Sequence, residues 1–288
     1  MNYKIAEIRI AIPDELSSGH FEKALAPFIY EGAEAVQLTV QCREKLSRKE
    51  QYAELDHFEF SEADAACTFG HDAEGYILEM MPHDGSPSAV FRMSPDCKTA
   101  LTDFNHTHLP SLFRFGLWIA LNCYAVQHLT VAIHSSTIVY RSQAVMMLGE
   151  SGTGKSTHTR LWREHIEGCH LLNDDSPYIV ANNDGTSEVY GSAWSGKTPC
   201  YINRHYPIRA IIRLSQAPYN KIRRLRPIEA IGALLPSCPP AFAHDKFLFD
   251  HVCKTVSALL SHTEVYHLEC LPNAAAAELV RDTLFAAK

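Results

Sequence analysis

A fully apolar run, Ala144-Val145-Met146-Met147-Leu148, ends directly in Gly149-Glu150-Ser151-Gly152-Thr153-Gly154-Lys155-Ser156. Few features constrain a fold so tightly. The apolar run predicts a buried strand, and Thr157-His158-Thr159-Arg160-Leu161-Trp162-Arg163 can propagate as a helix. Glycines between them allow backbone angles that turn successive N–H groups inward as an anion nest. The positive end of the following helix dipole adds to the same concavity. Strand, loop and helix together predict a cradle for the phosphates of a nucleoside triphosphate. Its expected members are Gly149, Glu150, Ser151, Gly152, Thr153, Gly154, Lys155, Ser156 and Thr157. Lys155 would bring a point charge to the β- and γ-phosphates, and the Ser156 hydroxyl a ligand for Mg²⁺.

The same pattern recurs at Gly191-Ser192-Ala193-Trp194-Ser195-Gly196-Lys197-Thr198, after the short run Glu188-Val189-Tyr190. Trp194 stands where the first loop has its middle glycine, and Pro199-Cys200-Tyr201-Ile202-Asn203-Arg204 is a poor start for a helix. A bulky side chain blocks close approach of backbone to phosphate, so this match is not read as a second nucleotide loop. Lys197 is either a contact reaching the site from an adjoining loop or a solvated lysine.

Phosphoryl chemistry also needs a carboxylate for the metal, commonly at the end of a neighbouring strand. His170-Leu171-Leu172-Asn173-Asp174-Asp175 supplies an apolar run ending in two aspartates. One can anchor Mg²⁺, and the other can take the proton of an attacking hydroxyl. His134 ends a strand two elements before the loop, within reach of the γ-phosphate or of the aspartates. The chain has sixteen histidines but no H-x-x-x-H or H-E-x-x-H pattern, and no zinc site is expected.

The surroundings bound the function. With 46% hydrophobic residues the chain has material for a core, and its net charge of −7 disfavours nucleic acid and anionic membranes as partners. Nine cysteines without a C-x-x-C pair read as reduced thiols in a cytoplasmic protein. The longest apolar segment, Phe115 to Val126, is too short for the ~20 residues that span a bilayer.

Residues 1–107 read as a β-rich domain: Ile8, Ile10 and Ile12 alternate with other residues, as do Val36, Leu38 and Val40. Tyr76-Ile77-Leu78 and Ala89-Val90-Phe91 flank a turn signal at 83–87. Leu109 to Val126 reads as a buried helix joining this half to residues 108–288. Strands follow at 129–134, 137–140, 178–180, 188–190, 208–214 and 264–268, with helices at 244–260 and 273–285. Asn183-Asp184-Gly185 is a hairpin signal, so the expected α/β fold has a mixed rather than an all-parallel sheet.

His134-Ser135, two short strands, the glycine loop and then Asn173-Asp174-Asp175 form an ordered set. Over residues 129–180 it resembles the bacterial HPr kinase/phosphorylase catalytic domain, which shares its fold with ATP-dependent phosphoenolpyruvate carboxykinase. The resemblance implies a mixed-sheet P-loop kinase domain of that type after a small β-rich domain, with ATP and Mg²⁺ as cofactors. It also implies a protein or peptide hydroxyl as acceptor. Lys155 and Ser156 would handle phosphates and Mg²⁺. Asp174 and Asp175 would share metal ligation and the base role, and His134 would orient the base.

Two departures stand out. Thr157 occupies a position usually acidic in HPr kinases, and the 194–199 stretch is similar instead to uncharacterised HPr-kinase-related bacterial proteins. The basic residues from Lys197 through Arg204, Arg209, Arg213, Arg223 and Arg224 could supply phosphate-stabilising charge, with Lys197 and Arg204 the candidate contacts. A small-molecule kinase, a carboxykinase-like enzyme and a non-catalytic ATP-binding regulatory protein are the competing expectations. Homo-oligomerisation is left open.

Overall fold

The computed structural model describes residues 1–16, 21–182, 184–196 and 198–286. It divides into two compact units, 1–128 with 241–250, and 129–240 with the remainder of the C-terminal region.

In the first unit, strands β1 (Asn2–Ile5) and β2 (Ile8–Ala11) are followed by the short helix α1 (Glu22–Leu25) and by β3 (Leu38–Cys42). The strands β4 (Ala53–Phe60), β5 (Ala65–Asp72), β6 (Gly75–Pro82), β7 (Ala89–Met93) and β8 (Thr99–Thr102) complete one sheet. Among the described residues its order is β1-β2-β3-β8-β7-β6-β5-β4. It is mixed: β3 runs parallel to β2 and β8, and the other neighbours are antiparallel. The turn signal at 83–87 does join an antiparallel pair, β6 and β7. Helix α2 (Pro110–Ala125) opens with proline at its first turn, where a missing N–H costs nothing.

This helix packs on β7, and Phe113 meets Phe91 with ring centroids 5.9 Å apart. The division of the chain therefore falls after His128, beyond the expected 107, because α2 belongs to the first sheet rather than standing between halves. Residues 241–250 also join this unit, where Asp245 accepts a 2.9 Å hydrogen bond from the Tyr76 hydroxyl.

The second unit is α/β with a mixed sheet, as expected. Strands β9 (Thr130–Ala132), β10 (Ser135–Tyr140) and β11 (Gln143–Leu148) lead into helix α3 (Lys155–His165). After it come β12 (His170–Asp175), β13 (Tyr178–Ala181), β14 (Ser187–Tyr190), β15 (His205–Gln216), β16 (Lys221–Arg224) and helix α4 (Pro227–Leu234). Helix α5 (Lys246–Leu260), of which residues 251–260 belong to this unit, β17 (Glu264–Cys270) and helix α6 (Ala274–Phe285) finish the chain. The order among described residues is β12-β10-β11-β15-β14-β13-β9, with β17 against β15 and β16 against β17.

The long strand β15 unites two pairing modes. Residues 205–207 pair antiparallel with β14, whereas from Ile208 onward it runs parallel to β11 and then β17. β13 and β14 pair antiparallel, as the hairpin signal requires, although Asn183 of that signal lies outside the described residues.

Alternate residues of the central strands, Val145 and Met147, Ala210, Ile212 and Leu214, form a core with Leu161 and Trp162 of α3, Ile166 just past its end, and Ala277, Val280 and Leu284 of α6. Ala144, Met146, Leu148 and Ile211 point the other way and are equally buried. A strand covered on both faces reads as a continuous apolar run, which is why 144–148 was so legible.

Candidate functional site

Strand β11 delivers the chain into the loop, and the loop turns into α3 at Gly154, whose φ of +106° is a conformation L side chains rarely adopt. Gly152 likewise has φ +81°. The Thr153 hydroxyl and N–H both donate to the Glu150 carbonyl, which closes the loop on itself. No side chain caps α3. Its first-turn N–H groups lack intrahelical acceptors by construction and point, with the helix dipole, into the concavity.

Lys155, the first residue of α3, is only 9% exposed. Its Nζ folds back and donates to the carbonyls of Gly149 at 2.8 Å and Glu150 at 3.2 Å. Burial pulls the Lys155 pKa below the usual lysine range, and the charge of Arg213 acts in the same direction. Asp175 and Asp174 oppose both, so the two carboxylates lie within electrostatic range of the ammonium. Ser151 and Ser156 are exposed, and Thr157 is half-buried.

The aspartates end β12, opposite the start of β10, with Asp174 facing Ser136 and Asp175 facing Ser135 in the register. Asp174 is buried, and its Oδ1 accepts a 2.6 Å hydrogen bond from the Ser136 hydroxyl. Asp175 Oδ1 lies 3.4 Å from His134 Nδ1. His134 is itself held by its N–H, which donates to the Ser237 carbonyl at 2.7 Å. The structure thus brings Lys155, Asp174, Asp175 and His134 to one end of the sheet around the loop.

Asn173 organises the turn beneath them. It is fully buried, and its Oδ1 accepts from the N–H groups of Asp175 and Ser176 at 3.0 and 2.9 Å. Its Nδ2 donates to the Trp194 carbonyl at 2.9 Å and the Ser192 hydroxyl at 3.3 Å. The second motif match is accordingly no phosphate loop. It is a strap against the acidic turn, with Ser195 bridging to Asp175 and the Gly196 N–H donating to the Asp174 carbonyl at 3.3 Å. Lys197 lies outside the described residues.

Arg204 is not part of this cluster. Its carbonyl accepts from the Gly191 N–H, and its charge acts on His170, at the opposite end of β12 from the aspartates. Three other arginines serve ion pairs away from the loop: Arg209 and Arg224 with Glu264, and Arg223 with Glu229. Arg213 is the exception. It sits beside Leu148 in the parallel register, and its Nη2 lies 3.5 Å from Glu150 Oε1. Gln216, farther along β15, donates to the Gly152 carbonyl at 3.3 Å.

Sequence reasoning gave no role to Ser136, Thr159, Asn173, Ser192 or Gln216. One signal was available. Ser135-Ser136-Thr137 places three hydroxyls at the head of a strand that is otherwise apolar, and all three are fully buried.

No family model matches the sequence. No curated protein matches it either. Among solved structures, the Hpr(Ser) kinase/phosphatase from Coxiella burnetii is similar at 12% identity and a TM-score of 0.32, over 53% of this chain and 95% of that one. A likeness that slight has no weight for fold or chemistry, and the site stands on its own geometry.

Proposed function

We propose that this chain is an ATP-dependent phosphotransferase that moves the γ-phosphoryl group to a hydroxyl, a serine on a small protein or peptide. The observation that carries the reading is the loop itself. An uncapped helix start, a left-handed Gly154 and a buried lysine folded onto loop carbonyls form a preorganised anion receptor facing two carboxylates.

The residues present fit Mg²⁺. Ser156 is exposed in the first turn of α3, and the nearby donors are carboxylate oxygens, the hard ligands this ion prefers. Among the described residues no cluster of three or more His, Cys, Asp or Glu could hold a metal alone. Mg²⁺ takes only one or two carboxylates from a protein and completes its shell with phosphate oxygens and water.

Within this reading the loop N–H groups hold the phosphates, and Lys155 exchanges its carbonyl acceptors for phosphate oxygens. Ser156 with the aspartate pair would hold Mg²⁺. The ion, when bound, neutralises charge on the β- and γ-phosphate oxygens. A carboxylate of the pair takes the acceptor's proton, and His134 orients Asp175. Transfer then depends on positioning and charge neutralisation. The choice of a protein or peptide serine rests on the motif order in residues 129–180 and on nothing in the geometry.

The test joins binding to turnover. Calorimetry should detect ATP binding that Mg²⁺ strengthens, and Lys155→Ala should weaken it by about 100-fold, the worth of ~3 kcal/mol of charged hydrogen bonds. With γ-labelled ATP, label should pass to serine peptides but not to free serine, pyruvate or oxaloacetate. Absence of any ATP affinity in the wild type would sink the proposal. Affinity without transfer to any acceptor would leave an ATP-binding regulatory protein.

A further inference from the structure

The buried hydroxyls of β10 divide by face. Ser135 and Thr137 are two apart, so they share one face, where their hydroxyls meet at 3.2 Å. Ser136 points the other way, toward α3, and is also fully buried. A hydroxyl in such a place is costly unless hydrogen-bonded. Its partners are Asp174 Oδ1 at 2.6 Å and Thr159 Oγ1 at 2.8 Å. Thr159 is 1% exposed and also lies 3.2 Å from the Ser156 carbonyl.

The Ser136 proton has one destination. An ionised carboxylate only accepts, so the single Ser136 proton goes to Asp174. Thr159 then has one proton and two acceptors, the Ser136 hydroxyl at 2.8 Å and the Ser156 carbonyl at 3.2 Å. Both hydroxyls therefore tie helix α3 to the strand beside the carboxylate. This hydrogen-bonded chain spans three elements: α3, which carries Ser156; β10, which carries Ser136; and β12, which carries Asp174. One oxygen of Asp174 is committed to it.

We infer that Ser136 and Thr159 are positioning residues for Mg²⁺, a hydroxyl pair that holds Asp174 by one oxygen so that the other would be available to an ion held at Ser156. The inference rests on the phosphotransferase reading above and adds to it the groups that set the spacing between loop and carboxylate. Neither hydroxyl touches ATP or the metal. Partners of this kind commonly change metal affinity by about 10- to 100-fold when removed.

The test separates metal from nucleotide. ATP binding is titrated with Mg²⁺ by calorimetry, and repeated in EDTA, for the wild type, Ser136→Ala, Thr159→Val, Ser136→Thr and Thr159→Ser. Mn²⁺ binding followed by electron paramagnetic resonance gives a readout independent of turnover. Ser136→Ala and Thr159→Val should raise the Mg²⁺ or Mn²⁺ needed for half-saturation by at least about 10-fold while metal-free ATP binding stays within about 2-fold. Thr159→Ser and Ser136→Thr, which keep the hydroxyl, should recover most of the loss.

Unchanged metal dependence in both deletions overturns the inference and leaves the phosphotransferase reading intact. Equal loss of metal-free binding also overturns it, since the pair would then be a packing element. If one deletion variant fails to fold by near-ultraviolet dichroism, the other decides. A wild type that binds no ATP in either condition overturns both readings together.

Discussion

Asn173 shows how much a single amide decides. Four hydrogen bonds converge on a side chain with no exposure, two accepted from the turn that carries Asp175 and two donated to the strap at 192–194. Asn173→Ala leaves buried donors and acceptors without partners on both sides. Each such group costs ~1–3 kcal/mol, and partial relaxation should bring the total loss to about 2–4 kcal/mol. Urea denaturation should show a lower midpoint at an unchanged slope. Phosphotransfer should fall further than stability, because the turn holding Asp175 is freed as well. A loss under ~1 kcal/mol would mean that the turn and strap hold each other without the amide. The sequence offered Asn173 only as a neighbour of two aspartates; its geometry makes it their anchor.

Elements were legible in proportion to how cleanly each is buried. Strands β11 and β17 and helices α2, α5 and α6 stand close to where periodicity predicts them. Asn273 caps α6, accepting from the Ala276 N–H at 3.1 Å. The edge strand β4, Ala-Glu-Leu-Asp-His-Phe-Glu-Phe, escaped prediction because it is nowhere fully buried and carries charge where a core strand carries valine. Strand β5 escaped for another reason: its small residues and Gly70 carry little strand propensity, and its neighbours β4 and β6 supply the order. β16 and α4 are short and arginine-flanked, with no periodic run to announce them.

The placement of α2 in the first unit was invisible for a third reason. Periodicity gives a helix but not the sheet it packs on. Its docking depends on Gly116, where an added Cβ would come within 2.2 Å of the Phe91 ring. Gly116→Ala should therefore destabilise the first unit by about 1–3 kcal/mol despite the better helix propensity of alanine. Thermal melts reading helix and near-ultraviolet signals together would check this. A stabilised variant would show that the ring gives way freely.

At the scale of the molecule, each unit has its own core, and one buried ionisable group in each responds to acid in a different range. In the second unit His158 on α3 is 3% exposed, its ring set against the Ala276 backbone. Burial holds its pKa down to about 4, the Ala276 backbone offsetting only part of that cost. Above the ordinary value of 6.5 the ring is neutral in folded and unfolded chains alike. Between 6.5 and about 4 the unfolded chain takes the proton and the folded one does not, so stability falls as pH falls. The full loss is about 3 kcal/mol.

In the first unit Asp72 pairs with Arg92 through bonds of 2.6 and 2.8 Å, both side chains almost wholly buried. The Arg92 guanidinium, aided by the N–H groups of Lys49 and Glu74, holds the carboxyl well below the usual range of 3.8. A depressed carboxyl stabilises above its unfolded value and loses that contribution only below it. At pH 5, then, the second unit should already be weakened while this ion pair in the first is intact. Hydrogen exchange corrected for intrinsic rates, compared at pH 7 and pH 5, should show protection lost in β10, β12, α3 and α6 and kept in β5, β6 and β7. His158→Gln, which cannot titrate, should remove most of the difference. Loss of protection in β5 to β7 first, or equal loss in both units, would show that groups other than His158 govern the acid response. Since α3 also carries Lys155 and Ser156, ATP affinity should weaken over the same pH range in the wild type and less so in His158→Gln.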